Sequence, residues 1–217
     1  MTRTTTFAAL LTLPLLGLAA APTPQAHAAI VFTATLTNAQ EVPPAFPTTT
    51  TGAPRPASFG TATFTLNDAQ TALAMSVTIF NIDVTGSQTA DINDNLTAGH
   101  IHAAAPPGVV APVVWGFFGA PNNDNNPNNL VLAPFATGVG GVITSVWNEP
   151  EGNNTSLPSQ LHSLLAGLAY LNIHTTQFPG GEIRGQIISP VPEPSSLLLF
   201  GAAGLLALAS RIRPQRG

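Results

Sequence analysis

The sequence predicts an all-β domain, an antiparallel sandwich or barrel with one short helix, and three observations predict it. Between residues 29 and 189, short runs rich in Val, Ile, Thr and Phe recur, each closed by Gly, Pro or Asn. In the clearest run Leu73, Met75, Val77 and Ile79 alternate with Ala74, Ser76 and Thr78, the period of two that sets one strand face on a core and the other toward water. Only Ser156 to Leu168 reads as a helix inside these limits. About eight short strands with a single helix favour an antiparallel architecture over an α/β one.

The elements follow in order. Ile30 to Leu36 is rich in β-branched residues and forms a first strand. Asn38 to Pro44 ends it, because Pro43 and Pro44 cannot donate to a ladder. Thr48 to Pro56 reads as an exposed Thr/Pro/Gly insertion. Ser58 to Leu66 and Leu73 to Ile79 form a hairpin across the turn formers Asn67 to Thr71. Leu96 to His102, Val113 to Phe118 and Val142 to Trp147 are further strands. In the helix, Ser156 is placed to cap the start, Leu157, Leu161, Leu164, Leu165 and Leu168 make the apolar stripe, and Gly167 helps end it. Ala169 to His174 and Glu182 to Ile188 close the domain.

Two polar segments read as turns. Asp91 to Asn95 gathers side-chain oxygens, but an EF-hand loop needs glycine at its sixth position and glutamate at its twelfth, where this chain has Leu96 and His102. Pro121 to Asn129 favours turns and solvent. Glu149 and Glu151 lie in an Asn/Pro/Gly loop, and no nucleophile elbow surrounds any serine. No catalytic constellation emerges. Trp115 and Trp147 sit in apolar strands, which makes them core before sugar platforms.

Composition narrows the function further. Residues 29–189 hold two cations, Arg55 and Arg184, against nine acids, and the chain has neither lysine nor cysteine. That balance excludes a nucleic-acid footprint. The missing cysteines exclude disulfides, thiol catalysis and cysteine-based zinc sites.

The ends carry addresses. Arg3, an apolar run from Phe7 to Ala21 and Ala26-His27-Ala28 before Ala29 make residues 1–28 a secretory signal peptide, a short signal helix with a small-residue cleavage site. In residues 190–217, Pro192-Glu193-Pro194 precedes the apolar run Leu197 to Ala209 and then Arg211, Arg213 and Arg216. The apolar run is shorter than the roughly 20 residues that span a bilayer comfortably. This tail resembles the PEP-CTERM sorting signal of Gram-negative bacteria. The resemblance implies recognition by an exosortase, transient inner-membrane anchoring through the apolar helix, processing near the motif, and delivery to the cell surface or extracellular matrix.

The chemistry concentrates on histidine. Ile101-His102 and Ile173-His174 both fit I-H-x-x-x-x-P-G. His100 and His102 are two apart on a strand and project to one face. Such a pair supplies two nitrogen ligands to zinc or copper, with His174 as third and Glu182 or His162 as fourth. The competing reading is a structural polar network, in which buried histidines bond backbone carbonyls and Glu182 and Arg184, also two apart, pair with each other or with a histidine. Under either reading His102 and His174 lie close together.

Phe32 to Pro44, Gly60 to Phe64, Gly99 to His102, Tyr170 to Thr176 and Gly180 to Gln186 together resemble the CHRD domain, the repeat named after chordin and common in secreted bacterial proteins. The resemblance implies an immunoglobulin-like β-sandwich, a fold sometimes compared with copper/zinc superoxide dismutase, where a His-x-His strand pair also binds copper. This chain departs from that enzyme in lacking a disulfide, a His- and Asp-rich zinc loop and a bridging histidine. The expected function is a sorted surface or matrix protein with a structural or binding role, its partner a matrix polysaccharide or surface protein. The alternative is a protein that binds copper or zinc.

Overall fold

The computed structural model describes residues 29–189. The expected signal helix and the Leu197 to Ala209 helix lie outside them, and among the described residues no helix is long and apolar enough to cross a membrane. Nine strands form: β1 (Ile30–Thr37), β2 (Phe59–Leu66), β3 (Ala72–Phe80), β4 (Leu96–Ala103), β5 (Val113–Phe118), β6 (Val131–Pro134), β7 (Gly140–Asn148), β8 (Ala169–Thr175) and β9 (Ile183–Ile187). One helix, α1 (Leu157–Leu165), precedes β8. The strands make one antiparallel sheet in the order β5-β4-β8-β9-β1-β2-β3-β7-β6.

The sheet curls so that its two halves face each other as the layers of a sandwich. Trp115 of β5 stacks on Trp147 of β7, with centroids 5.6 Å apart and planes 3° from parallel, although the two strands lie near opposite ends of the sheet. Both indoles are fully buried, as the sequence predicts. Around them pack Phe32, Phe64, Ile101, Phe117, Leu171 and Ile183. In β2 the alternation is complete: Gly60, Ala62, Phe64 and Leu66 are buried while the threonines between them are exposed. Each fully buried aliphatic or aromatic side chain contributes about 1.5–3 kcal/mol.

The differences from expectation have local causes. β6 was not foreseen because it is a four-residue edge strand, mostly exposed and ending in Pro134, and it pairs only with β7. The helix is shorter than Ser156 to Leu168. Ser156 stands at the N-cap but makes no cap bond, its hydroxyl meeting Ser159 instead. Leu157 and Leu164 are buried, whereas Leu165 is 48 % exposed, so the apolar face is narrower than its leucine count implies. Gly167, at φ +67, does close the turn after the helix.

The polar segments are anchored from within. The Thr48 to Pro56 loop is exposed from Thr50 to Pro54, as expected, but it is tied down at Arg55, which reaches in to pair with Glu182 at 2.9 Å, both side chains at 5 % exposure or less. Glu182 also accepts from Thr175 at 2.6 Å and from Ser58. In the Pro121 to Asn129 loop, Asp124 is buried, accepting from Ser145 and from the Asn129 N–H. Glu151 accepts from the N–H groups of Asn125, Asn126 and Asn148. Asp91 caps a short 3-10 helix, Ile92–Asp94, consistent with a polar turn.

Candidate metal centre

Strands β4, β8 and β9 are adjacent in the sheet and are buried on both faces. Their inner residues, Ile101, Leu171, Ile173, Ile183 and Ile187, join the core. Their outer residues are polar. His100 and His102 come from β4, Tyr170, Asn172 and His174 from β8, and Arg184 from β9, each at 8 % exposure or less. Register fixes their neighbours: His100 lies opposite Asn172, His102 opposite Tyr170, and Asn172 opposite Arg184.

Three loops cover this layer. The 104–112 strap is pinned by Gln186 donating to the Ala105 carbonyl at 2.9 Å, Arg184 donating to the Val109 carbonyl at 2.7 Å, and the Ala111 N–H donating to the Tyr170 hydroxyl at 3.1 Å. The 119–123 segment folds over His100 because β5 carries Gly116 opposite it. A Cβ at Gly116 would stand 1.9 Å from the Pro121 carbonyl oxygen and 3.0 Å from the His100 ring. The 177–181 turn closes the third side.

The three imidazoles converge. One ligand nitrogen from each of His100, His102 and His174 lies within 4.8 Å of the other two, and these residues are the sole such group among the described residues. Ring centroids of His102 and His174 are 6.2 Å apart, the proximity predicted from the repeated motif. His102 Nδ1 donates to the Ala111 carbonyl at 2.9 Å and His174 Nδ1 donates to the Pro179 carbonyl at 3.0 Å. Both neutral rings therefore leave Nε2 as a bare acceptor, the tautomer a metal ligand needs, and such backbone bonds are what orient metal-binding imidazoles. His174 Nε2 lies 3.1 Å from His100 Nδ1. Two nitrogens bound to one tetrahedral zinc would be roughly 3.3 Å apart. His100 Nδ1–H donates across that gap to His174 Nε2. The Nε2 atoms of His100 and His102 meet no partner in hydrogen-bonding geometry.

The electrostatics favour neutral rings. Burial lowers the pKa of His100 to about 4, helped by the neighbouring His174 and His102 and opposed by the Ala120 carbonyl. Burial likewise lowers His102 to about 4 against its bond to Ala111. His174 is lowered by burial too, with the Pro179 bond opposing. Deprotonated imidazole at neutral pH is the ligating form. The His102 ring is held flat on Tyr170, centroids 4.7 Å apart and planes 4° from parallel. Arg184 lies 3.5 Å over the same Tyr170 ring. Since β4 and β9 flank β8 on opposite sides, the phenol is sandwiched between them.

Two expected arrangements give way. Glu182 and Arg184 do not pair with each other: Glu182 turns to Arg55, Ser58 and Thr175, and Arg184 turns to Tyr170 and the Val109 carbonyl. Glu182 is thereby committed elsewhere as a fourth ligand. His162 is exposed on α1 and is absent from the cluster. Sequence reasoning singled out neither Asn172, Tyr170 nor Glu41. The signal that was available is that all three lie in the segments carrying the family resemblance.

Comparison with known proteins places most of the chain in one family and its end in a sorting motif. The CHRD domain family profile matches residues 32–187. A PEP-CTERM protein-sorting motif matches residues 190–213, which include Pro192, Glu193, Pro194, Arg211 and Arg213. No curated protein matches the chain, and no solved structure does. The sorting motif makes this an exosortase-sorted protein exported to the cell envelope of Gram-negative bacteria.

Proposed function

The chain belongs to the CHRD domain family, and from that premise we propose that this domain serves at the cell surface or in the extracellular matrix by holding one divalent copper or zinc ion on His100, His102 and His174. The observation that carries the reading is the convergence of one nitrogen from each histidine within 4.8 Å. A purely structural network supports itself by pairing its polar atoms, and here the ligating Nε2 of His102 stays buried and unpaired. Three protein nitrogens leave a coordination position open, which suits an ion that is exchanged or presented to a small ligand. The role proposed is binding, with no catalytic step assigned.

The test is metal analysis of the full chain after equilibration with copper or zinc. About one ion per chain is expected, with a raised melting temperature; a hundredfold excess over the dissociation constant corresponds to about 2.7 kcal/mol of stabilisation. The His102→Ala/His174→Ala variant should lose both. If neither metal is retained or shifts the melting temperature of the wild type, the reading fails.

A further inference from the structure

Six buried side-chain nitrogen or oxygen atoms among the described residues meet no hydrogen-bond partner, and five of them belong to the polar layer or to the segment beside it. They are His100 Nε2, His102 Nε2, Asn172 Oδ1, Glu41 Oε1 and Asn38 Oδ1, on the outer face of β4 and β8 or in the segment that follows β1. Only Trp115 Nε1, which faces the core, stands apart. A neutral His100 or His102 with Nδ1–H donating leaves Nε2 as an acceptor, and an ionised carboxylate or an amide oxygen is always one. Buried acceptors that lack donors are costly to leave unsatisfied and favourable around a positive charge.

The oxygen atoms of this set extend from solvent toward the imidazoles. Glu41 lines a cleft of about 210 Å³ that opens between the Val42 to Ala45 segment and the Gln177 to Gly181 turn. It also lines a second cleft, of about 180 Å³, beside Pro107, Gly108 and Arg184. Inward, Glu41 and Asn172 meet at Gly181: a Cβ built there would stand 2.6 Å from Glu41 Oε1 and 2.5 Å from Asn172 Oδ1. Gly181, at φ +129, both adopts a backbone few side chains tolerate and leaves that contact free of one. Asn172 then lies opposite His100 in register and two residues before His174 on the same strand face. Glu41, Asn172 and His100 are thus successive neighbours, through the contact at Gly181 and the strand register.

Resting on the metal reading above, we infer that Glu41 and Asn172 form the inlet of the centre, an oxygen-lined subsite that takes a hydrated divalent cation from the cleft and passes it to His100, His102 and His174. The order of ligands suits the task. A hydrated ion exchanges water readily for carboxylate and amide oxygen, and imidazole then holds copper or zinc more firmly. In the first cleft Glu41 is the one charged lining residue, whereas Arg184 lines the second and opposes a cation there; the carboxylate thus raises the local cation concentration and the rate of capture through the first, while final affinity stays with the nitrogens.

The experiment measures uptake rate and equilibrium affinity separately. The full chain, stripped of metal and held at about pH 8 so that Glu41 is ionised, is mixed rapidly with Zn²⁺ and followed with a fluorescent zinc indicator. Glu41→Gln should slow uptake about tenfold or more while leaving the dissociation constant within about twofold of wild type. Glu41→Asp, which keeps the charge, should recover most of the rate, and Asn172→Ala should slow uptake as well. Uptake by Glu41→Gln within about twofold of wild type overturns the inlet. So does a loss of affinity as large as the loss of rate, which would make Glu41 a ligand. A wild-type chain that takes up no ion overturns the metal reading itself, and the inlet with it.

Discussion

The two faces of β4, β8 and β9 are both buried and chemically opposite. Inside, Ile101, Leu171, Ile173 and Ile183 are sealed in the core with no polar atom to satisfy. Outside, His100, His102, Asn172, His174 and Arg184 are almost as inaccessible, yet every one carries a charge or a hydrogen-bonding group. The inner face is what burial of hydrocarbon builds spontaneously. The outer face works against that force and persists because loops lend it backbone partners, from Ala111, Pro179 and Val109. Burial alone therefore does not identify a core.

The strongest way to break the comparison is to damage the inner face. Leu171→Ala should cost about 2–5 kcal/mol by denaturant unfolding of the metal-free protein, through lost burial and the cavity left behind. It should leave metal stoichiometry intact in the fraction that stays folded. A loss of metal without a loss of stability would show that the two faces are not separable.

A second substitution sharpens the contrast from the other side. His102→Phe keeps an aromatic face on Tyr170, removes the unpaired Nε2 and gives up the bond to Ala111. These effects oppose one another, so metal-free stability should change by no more than about 1 kcal/mol, while stabilisation by zinc or copper disappears. A loss as large as that of Leu171→Ala would instead make the imidazole a structural member of the layer.

A third test is a pH dependence. Burial raises the pKa of Glu41 to about 7 against the pull of Arg184 and of the Val42 N–H. A carboxyl whose folded pKa lies above its unfolded value of 4.5 favours the folded state when neutral. Its contribution is complete below pH 4.5 and is lost as pH rises through about 7. Metal-free wild type should therefore lose stability across that window relative to Glu41→Gln, measured by denaturant midpoints at several pH values. Parallel profiles would remove Glu41 as the titrating group.

Much of this was legible along the chain. The alternation in Leu73 to Ile79 identified β3 because a period of two needs no distant partner to be recognised. His100 and His102 declared a shared face for the same reason, and the repeated I-H-x-x-x-x-P-G spacing brought in His174. β6 was hidden, since a short exposed edge strand owes its existence to the β7 backbone beside it. Asn172 and Tyr170 gain their roles from the register that sets them opposite His100 and His102. Glu182 was read with Arg184, its neighbour in sequence, but its ion pair is with Arg55, 127 positions away.

The sequence by itself determined the strand class, the core indoles, the histidine pair and the sorting signal, because propensity, periodicity and short motifs are properties of neighbouring residues. Only the tertiary structure decided that the outer face of three strands would be roofed over, that Glu41 and Asn172 would meet at Gly181, and which ion pair would be buried. Those outcomes depend on strand register and loop closure between residues far apart in the chain. The free energy of such contacts is set by what desolvates them together, and no local pattern records it.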